Sequence, residues 1–240
     1  MIKVAICDDI RVERQNIQNE LERYLAEHGL TDQFTVEAFS DPRTMIRRCS
    51  VVDFDLFLLD ILMPQITGID TARELQEMLP DAQFIFVTTT SEFVMDAISL
   101  KALYYLLKPY SSADFDEAMN RAKNYFLGEE TSSVLLSDAE NNPLSINVPD
   151  VIYVQDAERE KGVRLVLKDR TVQLPQYTLD GIRRLLDSDS MIQAGNRIYN
   201  IENIRHISDR TVTMRNGEKL SVPKDVYRIV REAFIEFYER

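Results

Sequence analysis

The chain has 240 residues, 45% of them hydrophobic and 28% charged, which is the make-up of a globular protein long enough for two domains of ordinary size. No apolar run approaches the roughly 20 residues that span a bilayer, and two cysteines, Cys7 and Cys49, give neither a disulfide framework nor a metal-ligand spacing. The formal charge of −12 argues at first sight against a nucleic-acid partner.

Strand-like apolar runs at Ile2–Cys7, Phe34–Phe39, Leu56–Leu59, Phe84–Val87 and Ala102–Leu107 alternate with helix-period stretches at about 11–28, 42–49, 69–79, 92–100 and 112–127. The strand pattern begins at once, which leaves no room for a signal peptide and predicts a cytoplasmic protein with no membrane partner. In the first helical stretch Val12, Ile17, Leu21, Tyr24 and Leu25 fall largely on one face. Cys7, inside an apolar run, is expected as a small buried hydrophobe. Five strands alternating with five helices predict a parallel α/β sheet with helices on both sides. Near-continuous apolar runs suit strands buried on both faces. A short polar stretch at 128–133 then predicts a linker between a domain of residues 1–127 and a second of residues 134–240.

Beyond it, short strand candidates crowd together: Val134–Leu136, Leu144–Val148, Val151–Gln155, Val163–Leu167, Thr171–Leu174, Arg197–Tyr199, Thr211–Met214 and Lys219–Val222. Turn signals such as Asn141-Asn142-Pro143 and Asn216-Gly217 separate them. Helices are predicted only at Leu179–Leu186 and at about 224–238, so the second domain is mainly β.

The chemistry of the first half sits where strands should end. Asp8 and Asp9 follow the first strand and Asp60 the third, and the carboxyl ends of strands in a parallel α/β sheet form the ligand crevice. Three carboxylates gathered there would repel one another unless a cation joined them, and oxygen-only ligands point to Mg²⁺. Asp8-Asp9 could otherwise cap the following helix. Thr88 follows the fourth strand with a hydroxyl donor, and Lys108 follows the fifth with a positive charge. A carboxylate nucleophile, a divalent cation, a lysine and a hydroxyl make a phosphoryl-transfer site.

Residues 1–127 resemble the receiver domain of two-component response regulators, a five-stranded parallel, flavodoxin-like α/β fold. The resemblance rests on Asp8-Asp9, the run Leu58-Leu59-Asp60-Ile61-Leu62-Met63-Pro64 leading to Gly68, Thr88, and Lys108-Pro109. It implies that Asp60 accepts phosphate from a sensor histidine kinase. It also implies that Asp9 binds Mg²⁺ directly, Asp8 through water, and the Leu62 carbonyl as a further ligand. Lys108 would bridge to the phosphate and Thr88 would turn inward to meet it. Tyr105, three residues before the lysine, matches the family's aromatic switch, although an ordinary half-buried strand aromatic is the plain alternative. The peptide bond before Pro109 is expected cis. Phosphorylation would bias the face built from the fourth helix, fifth strand and fifth helix, which in the family usually pairs two copies as a homodimer.

The second half offers no His pair, no phosphate-binding glycine loop and no partnered nucleophile, so the chain is read as no enzyme. His206 stands alone and reads as structural or surface. Charge is uneven: residues 1–128 carry −9 and residues 129–240 carry −3, yet residues 191–231 hold 8 basic against 4 acidic side chains. A DNA reader needs only such a local surplus.

Residues 134–240 resemble a LytTR domain, a β-rich DNA-binding module. The matching runs are Val148–Val154, Thr178–Leu186, Ile198–Ile204 with Asn200, and Leu220–Pro223 before a closing helix. The resemblance implies transcription control at a repeated DNA site, with two loops entering successive major grooves. Both loops depart from the family pattern: Ala194-Gly195-Asn196-Arg197 occupies the first and Pro223-Lys224 the second. Asn196 and Arg197 can still contact bases, Asn200 stands at the matching asparagine, and Lys224 and Arg228 suit phosphates. The glycine at 195 takes the usual arginine position, which removes a bidentate contact worth about 1–3 kcal/mol. The alternative is a regulator whose second domain has lost DNA binding and acts through a protein partner.

Overall fold

The computed structural model describes residues 1–128, 133–157 and 161–239, which fall into two compact units. The first runs β1 (Ile2–Cys7), α1 (Arg11–Glu27), β2 (Phe34–Phe39), α2 (Pro42–Cys49), β3 (Leu56–Leu59), α3 (Gly68–Met78), β4 (Gln83–Thr88), α4 (Val94–Ser99), β5 (Tyr104–Leu107) and α5 (Ser112–Leu127). The strands are all parallel, in the order β2-β1-β3-β4-β5. Alternation along each strand splits the apolar side chains between two faces. Val4, Ile6, Leu56, Leu58, Ile85, Val87 and Leu106 pack with Ile17, Leu21 and Tyr24 of α1 and Phe115, Met119 and Ala122 of α5. On the other face Phe57 stacks on Phe84, with ring centroids 5.6 Å apart. Burying one such side chain contributes roughly 1.5–3 kcal/mol, so strands covered on both faces are the natural outcome of these sequences. Cys7 is buried as expected, whereas Val12 lies off the apolar stripe of α1 and is exposed.

Local chemistry sets the helix ends. The Asp41 carboxylate accepts from the Thr44 N–H at the start of α2, and Ser111 with Asp114 makes a reciprocal capping box at the start of α5. Helix α4 is shorter than the predicted 92–100 and opens on Phe93 with no side-chain cap.

The second unit comprises β6 (Ser133–Ser137), β7 (Pro143–Asn147), β8 (Val151–Asp156), β9 (Val163–Leu167), β10 (Thr171–Leu174), α6 (Leu179–Leu185), β11 (Met191–Ala194), β12 (Arg197–Asn200), β13 (Ile204–Ser208), β14 (Thr211–Met214), β15 (Lys219–Ser221) and α7 (Lys224–Glu239). Strands β10-β9-β8-β12-β11 form an antiparallel sheet, β13-β14-β15 a second, and β6-β7 a two-stranded ribbon. The larger sheet has a core on each face. One gathers Val151, Val154 and Ile198 with Leu179 and Ile182 of α6. The other gathers Tyr153, Val166 and Tyr199 with β13-β14-β15 and with Val226 and Val230 of α7. The strands β11 and β13 lie where no strand was predicted. Of the predicted linker, residues 129–132 lie outside the described residues; Gly128 closes α5 with φ +71°.

Candidate functional site

In the first unit the chain leaves β1 toward one edge of the sheet and β3 toward the other, so a crevice opens at the carboxyl ends of these two strands. Asp8, one residue past β1, and Asp60, one past β3, are both buried there. Carboxylate oxygens of Asp8, Asp9 and Asp60 lie within 4.8 Å of one another. Asp8 accepts one hydrogen bond on each oxygen, Oδ1 from the Ile10 N–H at 2.8 Å and Oδ2 from Lys108 Nζ at 2.6 Å, which leaves lone pairs for a further ligand. Asp9 Oδ1 is buried with no hydrogen-bond donor, an orphaned acceptor of the kind a cation satisfies. These carboxylates do not cap α1, whose N-cap is Ile10 without a side-chain bond.

Lys108 Nζ stands 3.8 Å from Asp60 Oδ1 and is itself buried. Burial pushes the Asp60 carboxyl above the usual carboxylate range, Lys108 opposes this, and the neighbouring Asp8 charge adds to it. Thr88 is buried at the end of β4, and its hydroxyl makes no hydrogen bond of ordinary geometry. Tyr105 points inward, 1% exposed, and its hydroxyl donates to the Thr90 carbonyl at 2.7 Å. The plain alternative for this position, a half-buried strand aromatic, is corrected in its burial: Tyr105 is a strand aromatic and fully buried. Leu62 lies in the loop directly after Asp60, and the Lys108–Pro109 bond is cis.

Gly68 explains its place eight residues after Asp60. A Cβ there would sit 2.1 Å from the Asp60 carbonyl oxygen, and the Gly68 N–H bonds the Ile61 carbonyl at 3.0 Å. Gly68→Ala should therefore displace the Asp60 loop and cost about 1–3 kcal/mol or more. A thermal melt, with phosphoryl uptake measured in parallel, checks it; an unchanged melt would show that the loop yields freely.

Two neighbours of the site escaped the sequence reading. Glu13 Oε2 lies 3.7 Å from Lys108 Nζ, and Arg14 Nη1 donates to the Asp8 carbonyl at 2.5 Å. Both project from the first turn of α1, and only helical phase places them there.

In the second unit Gly195 and Asn196 form the two-residue turn between β11 and β12, since Ala194 pairs with Arg197. Gly195 takes φ +61° at the first central position, where a type II′ turn uses glycine. A Cβ on it would lie 2.9 Å from Val226, so this turn abuts the start of α7, where Lys224 and Arg228 are exposed. The Asn196 carbonyl accepts from the Asp156 N–H, and Arg197 Nε donates to Gln155 Oε1 at 3.1 Å. Asn200 corrects an expectation. It is 0% exposed, its amide donates to the Val151 carbonyl at 2.9 Å, and its oxygen accepts from the Glu202 N–H. Every polar atom of its side chain serves the fold, which leaves none for a DNA base.

Residues 4–120 match the family model of the response regulator receiver domain, and residues 142–235 that of the LytTr DNA-binding domain. The transcriptional regulatory protein NatR of Bacillus subtilis is 26% identical over 88% of this chain and 87% of its own. The sensory transduction protein LytR of Staphylococcus epidermidis is 23% identical over 98% of this chain and 82% of its own. The sensory transduction protein LytT of Bacillus subtilis is 23% identical over 93% and 95%, respectively.

Proposed function

The chain belongs to the response regulators that join a receiver domain to a LytTR DNA-binding domain, and from that premise we propose that phosphoryl transfer from a histidine kinase to Asp60 gates DNA binding by the second domain. The observation that carries this reading is the convergence of Asp8, Asp9, Asp60 and Lys108 in one crevice, with Asp9 at its open side. In this reading the receiver spans residues 1–127 and the DNA-binding domain residues 134–240, around the matched stretches 4–120 and 142–235, and a kinase and DNA as partners suit a cytoplasmic protein.

The Asp60 carboxylate attacks the phosphorus and the donor leaves on the opposite side. The donor set fits Mg²⁺, because three carboxylates converge and Asp9 Oδ1 lacks any other partner. Asp8, Asp9, Asp60 and the Leu62 carbonyl would hold the ion, which supplies positive charge to the phosphoryl oxygens. Lys108, already 3.8 Å from Asp60, exchanges part of its pairing with Asp8 for a phosphoryl oxygen. The Thr88 hydroxyl, already directed at Asp60, donates to another. Drawing Thr88 toward Asp60 changes the space around Tyr105, whose ring and hydrogen bond tie β5 to the loop after β4. That coupling biases the face of α4, β5 and α5 toward pairing of two copies, which then bind a repeated DNA site.

Asn196, Arg197, Lys224 and Arg228 supply the DNA contacts in this reading. A second reading, output through a protein partner, draws on the engagement of Arg197 with Gln155 and on the glycine at 195. Selection from a random DNA pool, with and without a phosphate mimic and Mg²⁺, separates them. A repeated motif should emerge, enriched more strongly with the mimic, and its affinity should fall steeply with salt as several phosphate contacts require. No enrichment in either state would favour the protein partner.

A further inference from the structure

We propose that Arg164 joins Arg197 in a clamp for a phosphodiester of the DNA backbone, an inference that rests on the DNA-binding reading, extends the first contact loop by a residue from β9 and gives Arg197 a phosphate rather than a base. Strands β9, β8 and β12 are neighbours in the five-stranded sheet, with Arg164 opposite Gln155 and Gln155 opposite Arg197. Directly paired positions share a face, so the three side chains stand in one row across the sheet. Gln155 Oε1 accepts from Arg164 Nη2 at 3.3 Å and from Arg197 Nε at 3.1 Å. Two guanidinium groups thus converge on one neutral oxygen, all three side chains being half-buried.

Like charges brought together across strands are unfavourable unless an anion joins them. Among the described residues the ion pairs of this unit are Lys168–Asp150 and Arg170–Asp169, and neither involves Arg164 or Arg197. Each guanidinium carries five N–H donors; Arg164 spends one on Gln155, and Arg197 divides its donors between Gln155 and the adjacent Tyr199 hydroxyl, so donors remain on both. A phosphodiester, with one negative charge and two unesterified oxygens, matches two such groups. A carboxylate from an acidic protein has similar chemistry. The surroundings favour DNA: Arg197 adjoins the Gly195–Asn196 turn, which abuts the start of α7 with the exposed Lys224 and Arg228. A backbone clamp positions the duplex and carries no sequence information.

The test uses the full chain with Arg164→Gln and Arg164→Lys, the DNA motif from the pool selection, and a scrambled duplex. Arg164→Gln should weaken binding to both duplexes by the same factor, several-fold or more. It should also make the dependence of log affinity on log salt shallower by about one. Arg164→Lys should keep the slope, because the charge remains. Melting temperature should hold or rise in Arg164→Gln, since a like-charge contact is removed. If the wild type binds DNA and Arg164→Gln binds with unchanged affinity and slope, the clamp does not exist. Weakening confined to the selected motif overturns it equally, as that marks a base contact. A wild type that binds neither duplex at low salt removes the DNA-binding reading itself, and the clamp with it.

Discussion

Asp60→Asn should take up no phosphoryl group from a small phosphodonor with Mg²⁺, yet melt higher than the wild type near neutral pH in the absence of the ion. The first outcome follows from chemistry: an amide oxygen is no nucleophile toward phosphorus under these conditions, and no other carboxylate takes its place. Asp8 is held by Lys108 and the Ile10 N–H, and Asp9 lies one residue further along the same loop. The second follows from linkage. Burial raises the folded-state pKa of Asp60 above its unfolded value. The stability tied to its protonated form is therefore full below the unfolded pKa and is lost as pH rises through the folded one. Near neutral pH the ionised carboxylate thus costs stability, and the neutral amide relieves it. The advantage of Asp60→Asn should shrink as the solution is acidified. Saturating Mg²⁺ should reverse the order, because an ion bound only to the folded state stabilises the wild type and the variant has lost one ligand. Phosphoryl uptake by Asp60→Asn at the wild-type level would remove Asp60 as acceptor.

The parallel sheet was legible because Val4–Cys7, Leu56–Leu59, Phe84–Val87 and Tyr104–Leu107 are unbroken apolar runs, as burial on both faces demands, while the edge strand β2 shows alternation instead. The site residues were legible for a related reason: Asp8, Asp60, Thr88 and Lys108 all stand where such a run stops. Glu13 and Arg14 were not, since their approach to Lys108 and Asp8 depends on the phase of α1 rather than on a strand end. In the second half, β11 was missed although Gly195-Asn196 carries a two-residue hairpin signal. The sequence Met-Ile-Gln-Ala gives no alternation to go with that turn. Strand β13 was missed for a different cause. A register shift between Ile204 and His206 breaks its period of two. Its turn then uses Asp209 and Arg210, at φ +50° and +59°, in positions that ordinarily go to Asn or Gly. Asn200 was placed at the DNA because a motif identifies a residue type at a position and says nothing of which way it faces.

Asn200 therefore carries the second large expectation. Asn200→Asp should destabilise the second unit by roughly 2–4 kcal/mol, on the order of 10 °C or more in melting temperature for a domain of this size. The side chains are isosteric, so packing is spared and the loss is one of hydrogen bonds and charge. The Asn200 amide donates to the carbonyls of Val151 and Val148, and Asn203 donates to those of Val151 and Pro149. Together they tie the end of β12 to the start of β8. A carboxylate in that place offers no donor and turns a negative charge toward buried carbonyl oxygens. Its own pKa must rise in response. A raised folded-state pKa confers its stability below the unfolded pKa and loses it as pH increases, so the deficit against wild type should narrow in acid. Below the melting transition the variant should keep the wild-type preference for the selected DNA motif, because Asn200 presents nothing to the duplex. Loss of that preference with an unchanged melting temperature would return Asn200 to the DNA surface and require β12 to open in the complex.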